Sequence, residues 1–193
     1  MRERLLKRWR IARLQGAGAT VGNGVTVTGA PIVSMAADSK ISVADSVVLV
    51  SLSEWTALGV SRPVILRTLL PKAAISIGPE TGMSGTTVCA AYRITIGARV
   101  LIGADVMIVD TDFHEVDRIP RRHMPIPVPS EEDAVSVGDD VFIGARSVVL
   151  KGSSIGNGSV IAAGSVVTGP IPAGVVAGGV PARVLRVIAD SDS

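Results

Sequence analysis

Six aliphatic residues stand six apart in the C-terminal third of the chain: Val137, Ile143, Val149, Ile155, Ile161 and Val167. A fixed period this short constrains the fold more than any other feature, because each repeat can bury its apolar residue only by stacking on its neighbours. Glycine or alanine follows the aliphatic position at Gly138, Gly144, Gly156 and Ala162, and four residues on come Val141, Ser147, Ser153, Ser159, Ser165 and Ile171. An apolar stripe at the helical period of 3.6 drifts out of phase with a six-residue repeat. A plain alternating strand has no need of a small residue after each apolar one. The pattern predicts one short strand and one tight turn per hexad, three hexads per coil, and coils stacked at roughly 4.8 Å. The expected fold class is an all-β solenoid, a parallel β-helix.

Upstream the repeat is less regular. Ile96-Gly97, Ile102-Gly103 and Ile108 keep it, with Val100 and Val106 in the small or branched slot. Ile77-Gly78, Met83 and Cys89 keep the spacing one residue out of phase, and Val21, Val25, Val27, Ile41 and Val47 suggest earlier coils. Asn23-Gly24, Asn157-Gly158 and Asp139-Asp140 supply turn residues that tolerate left-handed backbone angles.

A narrow prism also explains the composition. Apolar residues make up 47% of the 193, yet aromatics only 3%, because Val, Ile and Ala fit inside a coil where Phe and Trp do not. The mean hydropathy of +0.47 is therefore read as a solenoid signature; no apolar run approaches the roughly 18 residues that span a bilayer. The opening residues carry no secretory pattern, so a cytoplasmic protein is expected. Cys89 is expected on an inward position as core packing, and a single cysteine excludes an internal disulfide.

The net charge of +2 is unevenly spread. Residues 1–15 read as a basic helix with Arg2, Arg4, Lys7, Arg8, Arg10 and Arg13, and with Leu5, Leu6, Trp9 and Ala12 able to share one side. Packing on the first coil or a neighbouring subunit is the favoured reading. Peripheral contact of residues 1–13 with the inner face of the cell membrane is the alternative. Aromatic stacking platforms are absent, which argues against nucleic acid. The expected division is this helix, a β-helix over 16–188, and a flexible tail at 189–193.

Solenoids carry function where the repeat is interrupted. One interruption is 51–72, with Trp55, Gly59, Pro63 and Pro71, read as a looped-out coil edge or a short helix. The other, an extruded loop at about 110–134, holds both histidines, His114 and His123, among Asp110, Asp112, Glu115, Asp117, Arg118, Arg121 and Arg122. Four prolines, at 120, 125, 127 and 129, stiffen it into an arm. Histidine is the natural general base near neutral pH. His114 sits at the exit from a coil, with Asp112 and Asp117 as candidates to orient its ring; His123 lies in a solvated basic run.

Residues 137–186, together with 96–117, resemble the hexapeptide-repeat acyltransferases, the left-handed β-helix trimers that include galactoside, maltose and polysaccharide O-acetyltransferases. The left hand is implied by that resemblance alone. It implies acetyl-CoA as co-substrate, no metal, a sugar or glycan acceptor, and a homotrimer with sites between subunits. His114 matches the loop histidine that serves as general base, with Asp112 placed beside it. Ala145 matches the residue whose amide stabilises the oxyanion, and Ala163 the one whose amide contacts the pantetheine arm. Arg183 and Arg186, in PARVLR, match the cations near the CoA phosphates.

Thr168-Gly169 stands where the family often has Thr-Lys, which keeps Thr168 at the cofactor but removes one cation. No asparagine occupies the acceptor position in Gly82-Met83-Ser84-Gly85, so Ser84 is assigned there, with Asp117 as a second acceptor contact. GVSRPVILRTLLP (59–71) and GMSGTT (82–87) are similar to enzymes of capsule, exopolysaccharide or lipopolysaccharide assembly. Arg118, Arg121 and Arg122 are assigned to acceptor phosphates or to pairing with Glu131, Glu132 and Asp133. The leading expectation is an acetyl-CoA-dependent O-acetyltransferase acting on a cell-surface polysaccharide precursor. The alternatives are an N-acetyltransferase on an aminosugar nucleotide, a zinc hydratase (poorly matched by two histidines) and a non-catalytic scaffold.

Overall fold

The computed structural model describes the backbone of residues 2–189 and the side chains from Trp9 onward. The tail expected at 189–193 lies, past Ala189, outside the described residues, as do the side chains of Leu5 and Leu6. One helix, Arg2–Gly16, precedes a prism whose three faces are three sheets. Face A collects Thr20–Val21, Lys40–Val43, Ala74–Ile77, Arg93–Ile96, Val135–Val137 and Ser154–Ile155. Face B runs Thr26–Thr28, Val48–Val50, Gly82–Ser84, Leu101–Ile102, Phe142–Ile143, Val160–Ile161 and Val175–Gly179, closed by Ala182–Val187. Face C holds Ile32–Ser34, Ile65–Thr68, Thr87–Ala90, Met107–Val109, Val148–Val149 and Val166–Val167. Every pairing is parallel except the last, Val175–Gly179 with Ala182–Val187, which is an antiparallel hairpin.

The hexads stack in register. Val137 pairs with Ile155, Ile143 with Ile161 and Val149 with Val167, each three hexads further along the chain. All six of these side chains are buried. The serines of the small slot are buried too, and each keeps its hydroxyl satisfied by a main-chain carbonyl: Ser147 and Ser165 donate to Ala162, Ser153 to Val167 and Ser159 to Pro172. Burying a hydroxyl is tolerable only with such a partner.

Three expectations are corrected. The register on face C pairs Val88, not Cys89, with Ile108. Val88 and Ala90 join the core, and alternation along the strand turns Cys89 to the other side. Cys89 is still buried, and that burial pushes its thiol up to about 11, too high to be reactive at neutral pH. The second correction concerns 51–72: Ile65–Thr68 is a regular face C strand with Leu66 buried, so only 51–63 loops out. Proline and arginine around the strand hide its pattern. The third concerns the helix, which meets the first coil through Ile11 and buried Leu14, with Arg10 donating to the Val27 carbonyl at 3.1 Å. Trp9 and Ala12, expected on the packing side, are exposed.

Candidate active site

Two edges of the prism have the same backbone and different chemistry. Where face A turns into face B, the corner triplets are Gly97-Ala98-Arg99 and Gly138-Asp139-Asp140. The first and third amides of each triplet donate to carbonyls of neighbouring coils. The middle amide is capped by a side chain: Ala98 donates to Asp139 Oδ1 at 2.8 Å and Asp139 to Asn157 Oδ1 at 3.0 Å, as Asn23 does to Asp45 at 2.7 Å. Pro79, at the same level of another coil, has no N–H.

Where face B turns into face C, the triplets are Gly103-Ala104-Asp105, Gly144-Ala145-Arg146 and Ala162-Ala163-Gly164. Again the first and third amides are paired, Gly144 to Ile161 and Arg146 to Ala104 for example. Here the residue facing Ala104 and Ala145 from the next coil is alanine, and by the register of the last coil the one facing Ala163 is Gly179, neither of which has a side-chain acceptor to offer. Among the described residues the amides of Ala104, Ala145 and Ala163 donate no hydrogen bond. Fixed donors left unpaired at a surface groove suit an anion or a carbonyl whose charge develops during reaction.

That groove encloses about 420 Å³ and is lined by Ala104, Asp105, Ala145, Arg146, Ala163 and Gly164, with Leu58 and Gly59 from the looped-out segment. Its coils are closely stacked: a Cβ on Gly144 would collide with the amide nitrogen of Ala163. Ala145 and Ala163, both singled out from the sequence, thus line one groove one coil apart.

The other sequence-assigned residues are dispersed. Thr168 and Arg183 share a second, smaller pocket with Gly169, Pro170, Ile171 and Ala182. Arg186 is exposed on the last strand, paired in register with Val176. Ser84 lies on face B directly beneath Gly103, on the same edge as the groove but not lining it. His114, Asp117 and His123 are exposed on the arm, and no residue of 110–134 lines the groove.

The arm is anchored by groups that the sequence reading assigned otherwise. Asp110 is fully buried and accepts the amides of Ala91 and Tyr92. Its burial raises its pKa, against the pull of those main-chain donors. Asp112 does not hydrogen-bond His114; it pairs with Lys151 at 2.7 Å. Lys151 also reaches Asp133 at 3.3 Å, so one ammonium ties the arm's two ends together. Chiefly through Asp112, its pKa is raised. Burial of Asp133 works upward, but hydrogen bonds from Ser130 and Lys151 outweigh it and hold the carboxyl below its usual range.

Asp133 closes a capping box with Ser130, and Glu131 pairs with Arg93 at 3.1 Å. Arg118 and Arg122 have no carboxylate partner among the described residues, and Arg121 donates to the Val116 carbonyl. Lys151, Asp105 and Leu58 were missed. Lys151 occupies a corner position with no periodic signal, and the other two matter only through contacts between coils. Among the described residues no three His, Cys, Asp or Glu side chains converge as a metal site, and no helix is long and apolar enough to cross a membrane.

A stacked three-faced prism of hexads, with a histidine arm and an edge of unpaired amides, defines a class. Residues 134–169 match the family model for the bacterial transferase hexapeptide (six repeats). That stretch carries the family's repeat, and the chain's fold is the left-handed β-helix of hexapeptide-repeat proteins.

Over 101 residues it is 41% identical to galactoside O-acetyltransferase of Escherichia coli (strain K12), a match covering 52% of this chain and 47% of that protein. Over 60 residues it is 48% identical to 2,3,4,5-tetrahydropyridine-2,6-dicarboxylate N-acetyltransferase of Clostridium perfringens (strain SM101 / Type A), covering 31% of this chain and 25% of that one. It thus spans about half the length of the first curated relative and a quarter of the second. A hexapeptide-repeat-containing acetyltransferase from Vibrio cholerae superposes over 95% of this chain and 82% of its own, with a TM-score of 0.64 at 25% identity. Its complex with acetyl coenzyme A aligns over 66% of each chain at 34% identity and a TM-score of 0.55.

Proposed function

We propose that this protein is an acetyl-CoA-dependent O-acetyltransferase that acts on a sugar hydroxyl of a cell-surface polysaccharide precursor, on the cytoplasmic side of the membrane. The observation that carries the reading is the pair of unpaired amides, Ala145 and Ala163, in one groove. The thioester carbonyl lies against the Ala145 amide, the pantetheine arm runs past Ala163, and the CoA phosphates meet Arg183 and Arg186. The relative in Vibrio cholerae, which takes acetyl coenzyme A, supports the donor, and the galactoside enzyme supports a sugar acceptor.

His114 Nε2 or Nδ1 takes the proton as the acceptor oxygen attacks the thioester carbon. The negative charge that develops on the carbonyl oxygen is met by the Ala145 N–H. The intermediate then collapses, the carbon–sulfur bond breaks, and His114 returns the proton to the leaving CoA sulfur, giving ester and free thiol. Within one chain the arm leaves from the far end of face C and the groove lies at its near end. A working site therefore joins the arm of one copy to the groove of the next, and a cyclic trimer is the expected assembly.

The N-acetyltransferase relatives favour one second reading, transfer to an amine of an aminosugar nucleotide. Assay of wild type and His114→Ala with acetyl-CoA and paired sugar and aminosugar acceptors separates the two. Wild-type turnover on a hydroxyl, abolished in His114→Ala with the assembly intact, is the expected result. Turnover confined to amines and only weakly reduced in the variant would replace the O-transfer reading with the second one.

A further inference from the structure

The looped-out segment 51–63 leaves face B at the second coil, yet it ends against the fourth. Ser61 donates its amide to both carboxylate oxygens of Asp105, at 3.0 and 3.2 Å. Within the loop, the Ser53 hydroxyl bonds both the amide and the carbonyl of Val60. The intervening third coil makes room with Gly85, where an added Cβ would meet the Val60 side chain at 2.8 Å. The loop is therefore seated on the prism edge, and it carries Leu58 and Gly59 into the groove wall. Because Val60 and Ser61 sit at the third and fourth coils, this wall stands at the end of the groove below Ala145, opposite Ala163.

We propose that Leu58 closes the acyl end of the groove and limits the donor to short acyl chains. The inference rests on the donor reading above: with the thioester carbon at the Ala145 amide and pantetheine running up past Ala163, the alkyl group of the thioester points down toward Leu58. The surfaces offered there are a leucine side chain, a glycine and Ala104. The single carboxylate nearby, Asp105, is occupied by the Ser61 amide. An apolar end wall of this kind receives a methyl group, and the free polar side chain lining the groove, Arg146, belongs to the fifth coil with Ala145 and not to this wall. Leu58 is 75% exposed in the chain, so its replacement changes the wall without disturbing the core.

The test is a calorimetric titration of wild type, Leu58→Ala and Leu58→Trp with CoA, acetyl-CoA, butyryl-CoA and hexanoyl-CoA, which needs no acceptor. Wild type should bind butyryl-CoA at least about tenfold more weakly than acetyl-CoA, since two methylenes exceed what an apolar wall tolerates. Leu58→Ala should relieve that penalty by about tenfold. Leu58→Trp should weaken acetyl-CoA while leaving free CoA unchanged. Equal chain-length profiles in all three proteins, with CoA bound normally, would overturn the role of Leu58 alone. Failure of wild type to bind CoA at all would overturn the donor reading and this inference with it.

Discussion

The edge between faces A and B and the edge between faces B and C are built from the same repeating turn, and what separates them is the middle residue of the corner triplet in several coils. At the first, Asp45, Asp139 and Asn157 turn back to cap the amide of the coil before. At the second, Ala145 and Ala163 leave those amides open. On the first edge the amides of Asn23, Ala98 and Asp139 are capped while those of Asp45, facing Pro79, and Asn157 are not; on the second the amides of Ala104, Ala145 and Ala163 all stay open, which is the edge proposed to take a ligand. A β-helix can make this choice cheaply, because its core lies inside the prism and the corner residues contribute little to it.

The largest effect expected belongs to the group brought to the open edge from outside. His114→Ala should lower transfer by about 10² to 10⁴-fold while acetyl-CoA affinity stays within twofold of wild type; parallel kinetics and titration check this. A variant with full turnover would leave the open edge without its base. Next is Gly144→Ala, whose Cβ meets the Ala163 amide nitrogen. It should displace both groove donors and lower kcat/KM for acetyl transfer by about tenfold or more, as one lost hydrogen bond to developing charge is worth about 1.5–3 kcal/mol.

Asn157→Ala probes the closed edge. It uncaps the Asp139 amide, and removing such a cap costs about 1 kcal/mol, which for a chain of this length lowers Tm by about 2–4 °C. Donor affinity should not move. A change in donor affinity with no loss of Tm would erase the distinction between the edges.

The smallest effect concerns the arm's anchor. Asp133 is depressed below its ordinary value of 3.8, so its contribution is present above that pH and is lost as pH falls through the depressed value. Lys151 is raised above 10.5, so its contribution holds below that pH and is lost as pH rises through the raised value. Amide protection within 113–129, taken relative to the intrinsic exchange rate at each pH, should therefore be constant between about pH 5 and 9 and should fall only at the two extremes. Both side chains are partly exposed, which keeps the pair weak.

Much of the fold was legible because its information is periodic. Ile143, Ile155 and Ile161 repeat a single requirement, so the stacking could be read from spacing. Where the period breaks, legibility ends: Ile65–Thr68 is a regular strand that looks like part of a loop, and Cys89 occupies the spacing that Val88 fills in space. The candidate site was partly legible for a different reason. Ala145 and Ala163 are proposed to act through their amides, and the sequence shows only that nothing bulky stands there. That those amides are unpaired depends on residue 163 facing residue 145 across a coil, which is a property of register. Asp112 illustrates the limit: its proximity to His114 in sequence suggested an orienting role, whereas Lys151, far along the chain, is its partner.

Acetyl-CoA titration of wild type against Ala163→Asn tests whether the open amides hold the donor. Asparagine there reproduces on the open edge the cap that Asn157 supplies on the closed one, aimed at the amide of Ala145. Wild type should bind the donor, and the variant, folded and with Tm unchanged or raised, should bind it at least about tenfold more weakly. Equal donor binding by the two proteins would mean that the open amides are not the donor site.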